Sequence, residues 1–355
     1  FHSAGILDMN DWVNPLKGYR YDSMNPDALL ESVRIEDSCL VTRGGIRYRV
    51  LVIPGERPMD PSYHGLSGQV RKGVDEFRKA GGIIIDYPYR GEDFSVLGLE
   101  RDVILPEQID YTHRTTDSTE IYFLSNQANL ARNFRVSFRV YDRKPECYDA
   151  LTGECFLPES WQQNGHRTDV DIHLDPYGSL FVIFSKTMPS AMPSVNRLER
   201  LGHWKSLKEK WQIHFDATGR DSISEKLFDW SHASEEQVKY YSGSAVYQTS
   251  FRLGRNTGKK VELSLGVVRD VAHVYVNGVD CSMAWTAPYT VDISKAICPG
   301  RNRVRIVVTN TWANALRGVD SGKAPYEGIW TNAKYRMKGS GLLPAGLLGP
   351  VEIRY

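Results

Sequence analysis

Residues 261–310 read VELSLGVVRDVAHVYVNGVDCSMAWTAPYTVDISKAICPGRNRVRIVVTN, and this stretch decides the fold. VELSLGV, VAHVYV and NRVRIVV alternate apolar and polar residues. Period-two alternation marks strands with one buried face. Asn277-Gly278 sits after the second run, and a two-residue hairpin turn of this kind needs positive φ at both central positions. Pro299-Gly300-Arg301-Asn302 reads as a loop feeding the last strand. The expectation is an antiparallel sandwich that displays loops.

Working outward, the chain has 355 residues, enough for one large or two to three ordinary domains. Its 41% hydrophobic and 25% charged residues are those of a globular protein with real cores. The 44 basic and 43 acidic residues leave a net charge of +1. That balance disfavours a general nucleic-acid or anionic-membrane partner. No apolar run approaches the roughly 18 residues that suggest a membrane span. The N-terminal residues show no basic stretch followed by an apolar one, so no signal peptide is expected within them. Cys39, Cys147, Cys155, Cys281 and Cys298 are widely spaced and fit no zinc pattern. Cys147 and Cys155 flank a turn, which leaves a disulfide open, with buried or half-buried thiols as the favoured reading.

The expected class is α+β, mostly β, in several domains. Residues 1–105 read as an α/β module. In it Pro26–Val33 is a helix capped by Asn25, Cys39–Thr42 and Tyr48–Ile53 are strands around Gly44-Gly45, Leu66–Ala80 is an amphipathic helix ended by Gly81-Gly82, and Ile83–Asp86 is a buried strand. Residues 106–187 read as a small β-sandwich, with strands at Ile109–Arg114, Glu120–Ser125, Phe134–Val140, Asp169–Leu174 and Ser179–Phe184. Residues 188–210 read as a linker with a charged stretch of helical character at Arg197–Lys210, and residues 211–355 as a second sandwich that opens at Trp211–Phe215.

The usual chemical motifs are missing. There is no Gly-x-Ser-x-Gly elbow, no His-Glu-x-x-His helix and no phosphate-binding glycine loop. After the strand ending at Ile53 comes Pro54-Gly55-Glu56-Arg57-Pro58, which does not make a dinucleotide cradle. No cofactor is expected. Asp169, Asp171 and His173 share one strand face, as a solvated face or a metal cluster would; the solvated face is the favoured reading, and no metal site is expected.

Carbohydrate recognition is the chemistry left. An exposed aromatic ring covers the C–H face of a sugar, and amides or carboxylates bond its hydroxyls. The candidates are Trp285 and Tyr289 after the hairpin, Trp312 (with Asn314 beside it) after the last alternating run, and Tyr326, Glu327 and Trp330 in a Gly-rich loop at 318–332. Against each stands a packing role: Trp285 as a plug of the sandwich end, Trp312 as core or interface, and Asn310 as a strand-end cap.

Several segments carry a family resemblance. The VNG, aromatic, proline, DIS and PGRNRVRIVVTN pattern resembles the sugar-binding jelly-roll domain of large exo-glycosidases of the β-galactosidase and α-L-rhamnosidase kinds. LFDWSHASEEQVKYYSGSAVYQTSF (227–251), TNTWANALRGV (309–319) and GLLPAGLLGPVEI (341–353) resemble its flanking segments in the family 106 α-L-rhamnosidases. GYRYDSMNPDALL (18–30), YRVLVIPG (48–55), THRTTDSTEIYFLSNQ (112–127), PECYDALTGE (145–154) and LDPYGSLFVIFSK (174–186) have counterparts there in the same order. The resemblance implies a partial flavodoxin-like module, then a small sandwich, then a galactose-binding-like jelly roll. It also implies a periplasmic or extracellular setting, a carbohydrate partner and a catalytic (β/α)8 barrel in a longer chain. A barrel takes roughly 200 residues or more of alternating strand and helix, and only one such unit is visible. The carboxylate pair of those enzymes, spaced about 5–10 Å, has no matching positions, so the catalytic residues are unknown and the isolated chain is expected not to turn over substrate. A free-standing carbohydrate-binding module is the alternative, and a small glycoside hydrolase or polysaccharide lyase using Glu327, Asp320 or Tyr326 comes last.

Overall fold

The computed structural model of the chain describes residues 18–53, 65–85, 94–186, 204–207, 210–216, 220–224, 226–254, 260–324, 328–332 and 341–355. It is mostly β, with several antiparallel sheets and few helices. Two compact units emerge. One comprises Phe1–Glu107, Arg135–Lys144 and Ser160–Asp171; the other comprises Gln108–Phe134, Pro145–Glu159 and Ile172–Tyr355.

In the first unit, Asn25 caps the helix Pro26–Glu31 by accepting the Ala28 N–H at 2.9 Å. The strands Val33–Glu36, Cys39–Thr42 and Arg47–Tyr48 form an antiparallel sheet. The expected strand Tyr48–Ile53 is broken at Arg49. Tyr48 ends that sheet, and Val50–Val52 instead pairs in parallel with Ile83–Ile85. The helix Gly68–Lys79 joins these two strands and buries Val70, Val74 and Phe77, the spacing that put one apolar stripe on it. Gly82 makes the turn from this helix into the second strand tight, because a Cβ there would lie 2.3 Å from the Phe77 ring. Ile83–Ile85 is half-buried rather than buried, and among the described residues it has a single parallel neighbour.

A four-stranded sheet runs in the order Trp161–Asn164, Arg167–Leu174, Arg132–Phe138, Val103–Ile104. Val103, Val136, Phe138 and Val170 are fully buried on it. The Arg167 guanidinium ties its strand to Ser137 O at 2.7 Å and Arg101 O at 2.8 Å.

The second unit holds a five-stranded sheet in the order Cys155–Phe156, Lys144–Tyr148, Ser179–Ser185, Thr119–Asn126, Ile109–Thr115. Tyr122, Leu124, Val182 and Phe184 fill its inner face. All five cysteines are free thiols. The register explains why Cys147 and Cys155 do not bond. Cys147 lies opposite Phe156 and Tyr148 opposite Cys155, so the two sulfurs point to opposite faces.

The C-terminal part of this unit pairs two larger sheets around one core. Six strands run in the order Arg220–Ser224, Trp211–Phe215, Ser244–Leu253, Gly300–Thr309, Val271–Val276, Val279–Ala284. Four run in the order Trp204–Ser206, Glu352–Arg354, Glu262–Ser264, Thr290–Asp292. Ile213, Tyr247, Val274 and Ile306 of the first share a buried cluster with Leu263, Val291 and Ile353 of the second. Trp204–Ser206 is thus a strand where the charge pattern suggested helix; the rest of 197–203, and the expected linker at Thr187–Ser194, lie outside the described residues. The hairpin behaves as read: Asn277 has φ 51° and Gly278 φ 85°. Arg301 and Asn302 belong to the strand, not to a loop. The Asn302 side chain closes the bend by accepting from Cys298 N–H and Asn277 Nδ2, both at 2.8 Å.

The helices Glu236–Lys239 and Ala313–Asp320 were not anticipated. Ala313–Asp320 occupies the start of the supposed Gly-rich loop. Gly318 is its contact point, since a Cβ there would lie 2.5 Å from Ala324 Cβ and 2.7 Å from the Tyr240 ring. Asn314, buried, staples the helix to Leu343 through both its amide atoms, at 2.7 and 2.8 Å.

Candidate functional site

Among the described residues, three tryptophans are exposed where apolar bulk normally packs. Trp285, Trp312 and Trp330 show 59%, 68% and 76% of their surface. Register brings the first two to one end of the six-stranded sheet. Ala284 lies opposite Ala272, and Ala272 opposite Val308. Trp285 follows the first of these by one residue and Trp312 follows Val308 by four, so both indoles leave the sheet at the same end. Trp312 occupies the N-cap position of the helix Ala313–Asp320 and makes no side-chain capping bond. Neither the plug role for Trp285 nor the core role for Trp312 describes these positions.

The backbone beneath them is firmly held. Asn310 Oδ1 accepts the Gly243 N–H at 2.9 Å and its Nδ2 donates to Tyr241 O at 2.8 Å, the strand-end cap its type favours. Asp270 accepts the Thr311 N–H at 3.2 Å. Tyr289 differs from the tryptophans: it is partly buried against the core, at φ 53°, and its carbonyl accepts the Leu265 N–H at 2.9 Å. Trp330 stands on the short described segment 328–332. Tyr326 and Glu327 lie outside the described residues.

A groove of about 650 Å³ opens along the edge strand Val279–Ala284, opposite Asp292–Ala296. His273, Asp280, Ser282, Met283, Ser294 and Lys295 are among its lining residues. The His273 Nε2 lies 2.9 Å from both oxygens of Asp280, and in that arrangement Nδ1 accepts the Tyr275 hydroxyl at 3.1 Å. The Ser282 N–H, at 2.8 Å, and then His273 hold the Asp280 carboxyl below its ordinary value, so it stays ionised and acceptor-only. Burial pushes the neighbouring Cys281 thiol up, which keeps it from acting as a thiolate nucleophile. The groove therefore offers hydrogen-bonding groups for hydroxyls rather than a poised nucleophile. The sequence reading passed over these residues. Their signal was present in VAHVYV, whose alternation puts His273 and Tyr275 on one face beside the hairpin.

Among the described residues, no group of three or more His, Cys, Asp or Glu side chains could hold a metal ion. Asp171 takes a bidentate bond from Arg135, at 2.7 and 2.9 Å, and that guanidinium holds its carboxyl low. His173 bonds Asn133 at 2.7 Å. The strand face of Asp169, Asp171 and His173 is a solvated face with its own partners. His113 pairs with Glu120 at 2.8 Å and stacks on Tyr122, while Arg114 is exposed. Among the described residues no helix is long and apolar enough to cross a membrane.

Comparison with known proteins agrees with this architecture. Residues 81–157 match the family 106 glycoside hydrolase model, described as alpha-L-rhamnosidase. Residues 201–338 match the glycosyl hydrolase 2 galactose-binding domain-like model. A rhamnosidase from Novosphingobium sp. PP1Y is similar over 95% of this chain at 26% identity and a TM-score of 0.65. A putative beta-glucuronidase of Formosa agariphila is 32% identical over 172 residues, 40% of this chain. The chain spans 36% of that rhamnosidase and 15% of that glucuronidase. It thus carries a region of the family 106 α-L-rhamnosidase kind followed by a galactose-binding-like domain of the family 2 glycoside hydrolase kind.

Proposed function

We propose that the chain is an accessory, saccharide-contacting region of an α-L-rhamnosidase-like glycoside hydrolase. The observation that carries this reading is the similarity along nearly the whole chain to part of a rhamnosidase, combined with exposed indoles at one end of the galactose-binding-like sheet. Saccharide is the partner that suits them. Trp285 and Trp312 present apolar rings to the C–H faces of a sugar, and the groove at Asp280 and Ser282 accepts from or donates to its hydroxyls. The working division is an α/β module of the partial flavodoxin-like kind at 1–105, a small sandwich at 106–187, then a linker that ends before the strand Trp204–Ser206, and a jelly roll from that strand to 355. Chemistry belongs to a barrel elsewhere in a longer, exported chain.

The test is hydrolysis of nitrophenyl α-L-rhamnoside by the 355-residue chain. No release of nitrophenol above background is expected. Release that a single local carboxylate substitution abolishes would place catalysis within these residues and end the proposal. A free-standing binding module remains the second reading, on the strength of the same exposed tryptophans; a chain that binds saccharide and functions without any appended catalytic segment would favour it.

A further inference from the structure

The outer face of the six-stranded sheet carries a line of arginines. Arg301, Arg303 and Arg305 alternate with the buried Asn302, Val304 and Ile306 on the strand Gly300–Thr309. Arg252 joins them from the neighbouring strand, directly opposite Arg301; Ser250 faces Arg303 and Gln248 faces Arg305. All four guanidiniums are exposed, and among the described residues none has a carboxylate within ion-pairing distance. Two are oriented without being neutralised. Arg301 Nε donates to Ser250 Oγ at 3.1 Å, and the Arg305 guanidinium lies 5.1 Å over the Tyr275 ring. Tyr275 is in turn fixed by His273.

This pattern is not the overflow of a basic protein, since the whole chain carries a net charge of only +1. Like charges placed directly opposite on a strand pair oppose pairing, yet Arg252 and Arg301 are so placed. A neutralising ligand resolves the arrangement. A guanidinium fork matches a planar carboxylate bidentately. Residues two apart on a strand are about 6.5–7 Å apart, so the three arginines form a ladder that one small anion cannot span and a polymer with repeated carboxylates can. Gln248, Ser250 and Gln212 add amide and hydroxyl groups suited to sugar hydroxyls. A permanent protein interface would place an apolar, charge-depleted centre here, and this strip has the opposite character.

We propose that this sheet face binds a uronic-acid polysaccharide along the Arg301–Arg303–Arg305 ladder. It begins at the far end of the strand Gly300–Thr309 from Trp312, so it stands or falls apart from the indole site. The test is native affinity electrophoresis of the full chain in gels containing polygalacturonate, dextran sulfate or neutral dextran. Polygalacturonate should retard the protein, added salt should reverse the effect, and dextran should not retard it. The R301Q/R303Q/R305Q variant should lose retardation several-fold, and R303Q alone should lose part of it with an unchanged melting temperature. Removing three cations from the helix Gly68–Lys79 (R71Q/K72Q/K79Q) should leave it intact. No retardation by polygalacturonate, retardation by dextran sulfate alone, or equal loss in the helix variant would overturn the proposal.

Discussion

Replacing Tyr247 by phenylalanine removes one oxygen and leaves two donors without an acceptor. Tyr247 is 0% exposed at the centre of the C-terminal core. Its hydroxyl oxygen accepts the Trp230 indole N–H at 2.7 Å and the Leu347 amide N–H at 3.2 Å. Burial raises its phenol pKa above the ordinary tyrosine value, so it is a neutral acceptor at neutral pH. Leaving a buried donor unpaired costs about 1–3 kcal/mol, so two such donors amount to roughly 2–6 kcal/mol before relaxation. The ring itself is retained, and so are its stacking on Trp230 and its edge contact with Trp211. Urea unfolding followed by tryptophan fluorescence measures the loss as a lower midpoint at an unchanged slope. A companion Trp230→Phe variant removes one of the donors. In the double variant only Leu347 N–H is orphaned, so its loss should fall short of the sum of the two single losses by about 1–3 kcal/mol. A Tyr247→Phe protein within about 0.5 kcal/mol of the parent would refute the bonding scheme that ties the segment 227–230, the strand Ser244–Leu253 and the strand Gly346–Gly349 together.

Other expectations follow from the same geometry. Trp285→Ala and Trp312→Ala should weaken saccharide binding measured by calorimetry while moving stability by no more than about 0.5 kcal/mol, because both rings are exposed; a large stability loss would show that the rings pack instead. Asp280 has a lowered pKa, so its contribution to the hairpin is present above its unfolded value and lost as pH falls through the folded one. Its carboxyl carbon resonance should therefore titrate below the ordinary aspartate range, and a midpoint within or above that range would contradict the bonds from Ser282 and His273. Two glycine substitutions should separate by mechanism. Gly278→Ala meets nothing within 4 Å and should cost only about 1–2 kcal/mol for its left-handed backbone. Gly318→Ala drives a methyl into Ala324 and Tyr240 and should cost about 1–3 kcal/mol from overpacking, with the helix Ala313–Asp320 displaced; thermal melts and helical circular dichroism read both.

Much of the β architecture was legible because alternation is a local signal. VAHVYV and RVRIVV declared their buried faces, Asn277-Gly278 declared the turn between strands, and Val70, Val74 and Phe77 declared one helix face. What escaped was set by tertiary context. Short edge strands such as Cys155–Phe156 and Trp161–Asn164 carry too few residues for a period to appear. The helix Ala313–Asp320 contains a glycine, which reads as a breaker until its packing against Tyr240 is seen. At the candidate site the aromatic residues could be named from sequence, but their exposure could not. Trp230 and Trp285 are the same residue type, and only the fold buries one and presents the other. The Asp280–His273 groove and the arginine ladder were both written in alternation, yet they became sites only when register set them side by side.

The most direct test of the central claim is an NMR titration of the chain, its tryptophan indoles labelled with nitrogen-15, against a rhamnose-terminated oligosaccharide. The Trp285 and Trp312 indole signals should shift together and saturate, the buried Trp230 signal should stay in place, and the oligosaccharide should remain uncleaved. Unmoved Trp285 and Trp312 signals at saturating sugar, or consumption of the sugar by the chain alone, would contradict the account.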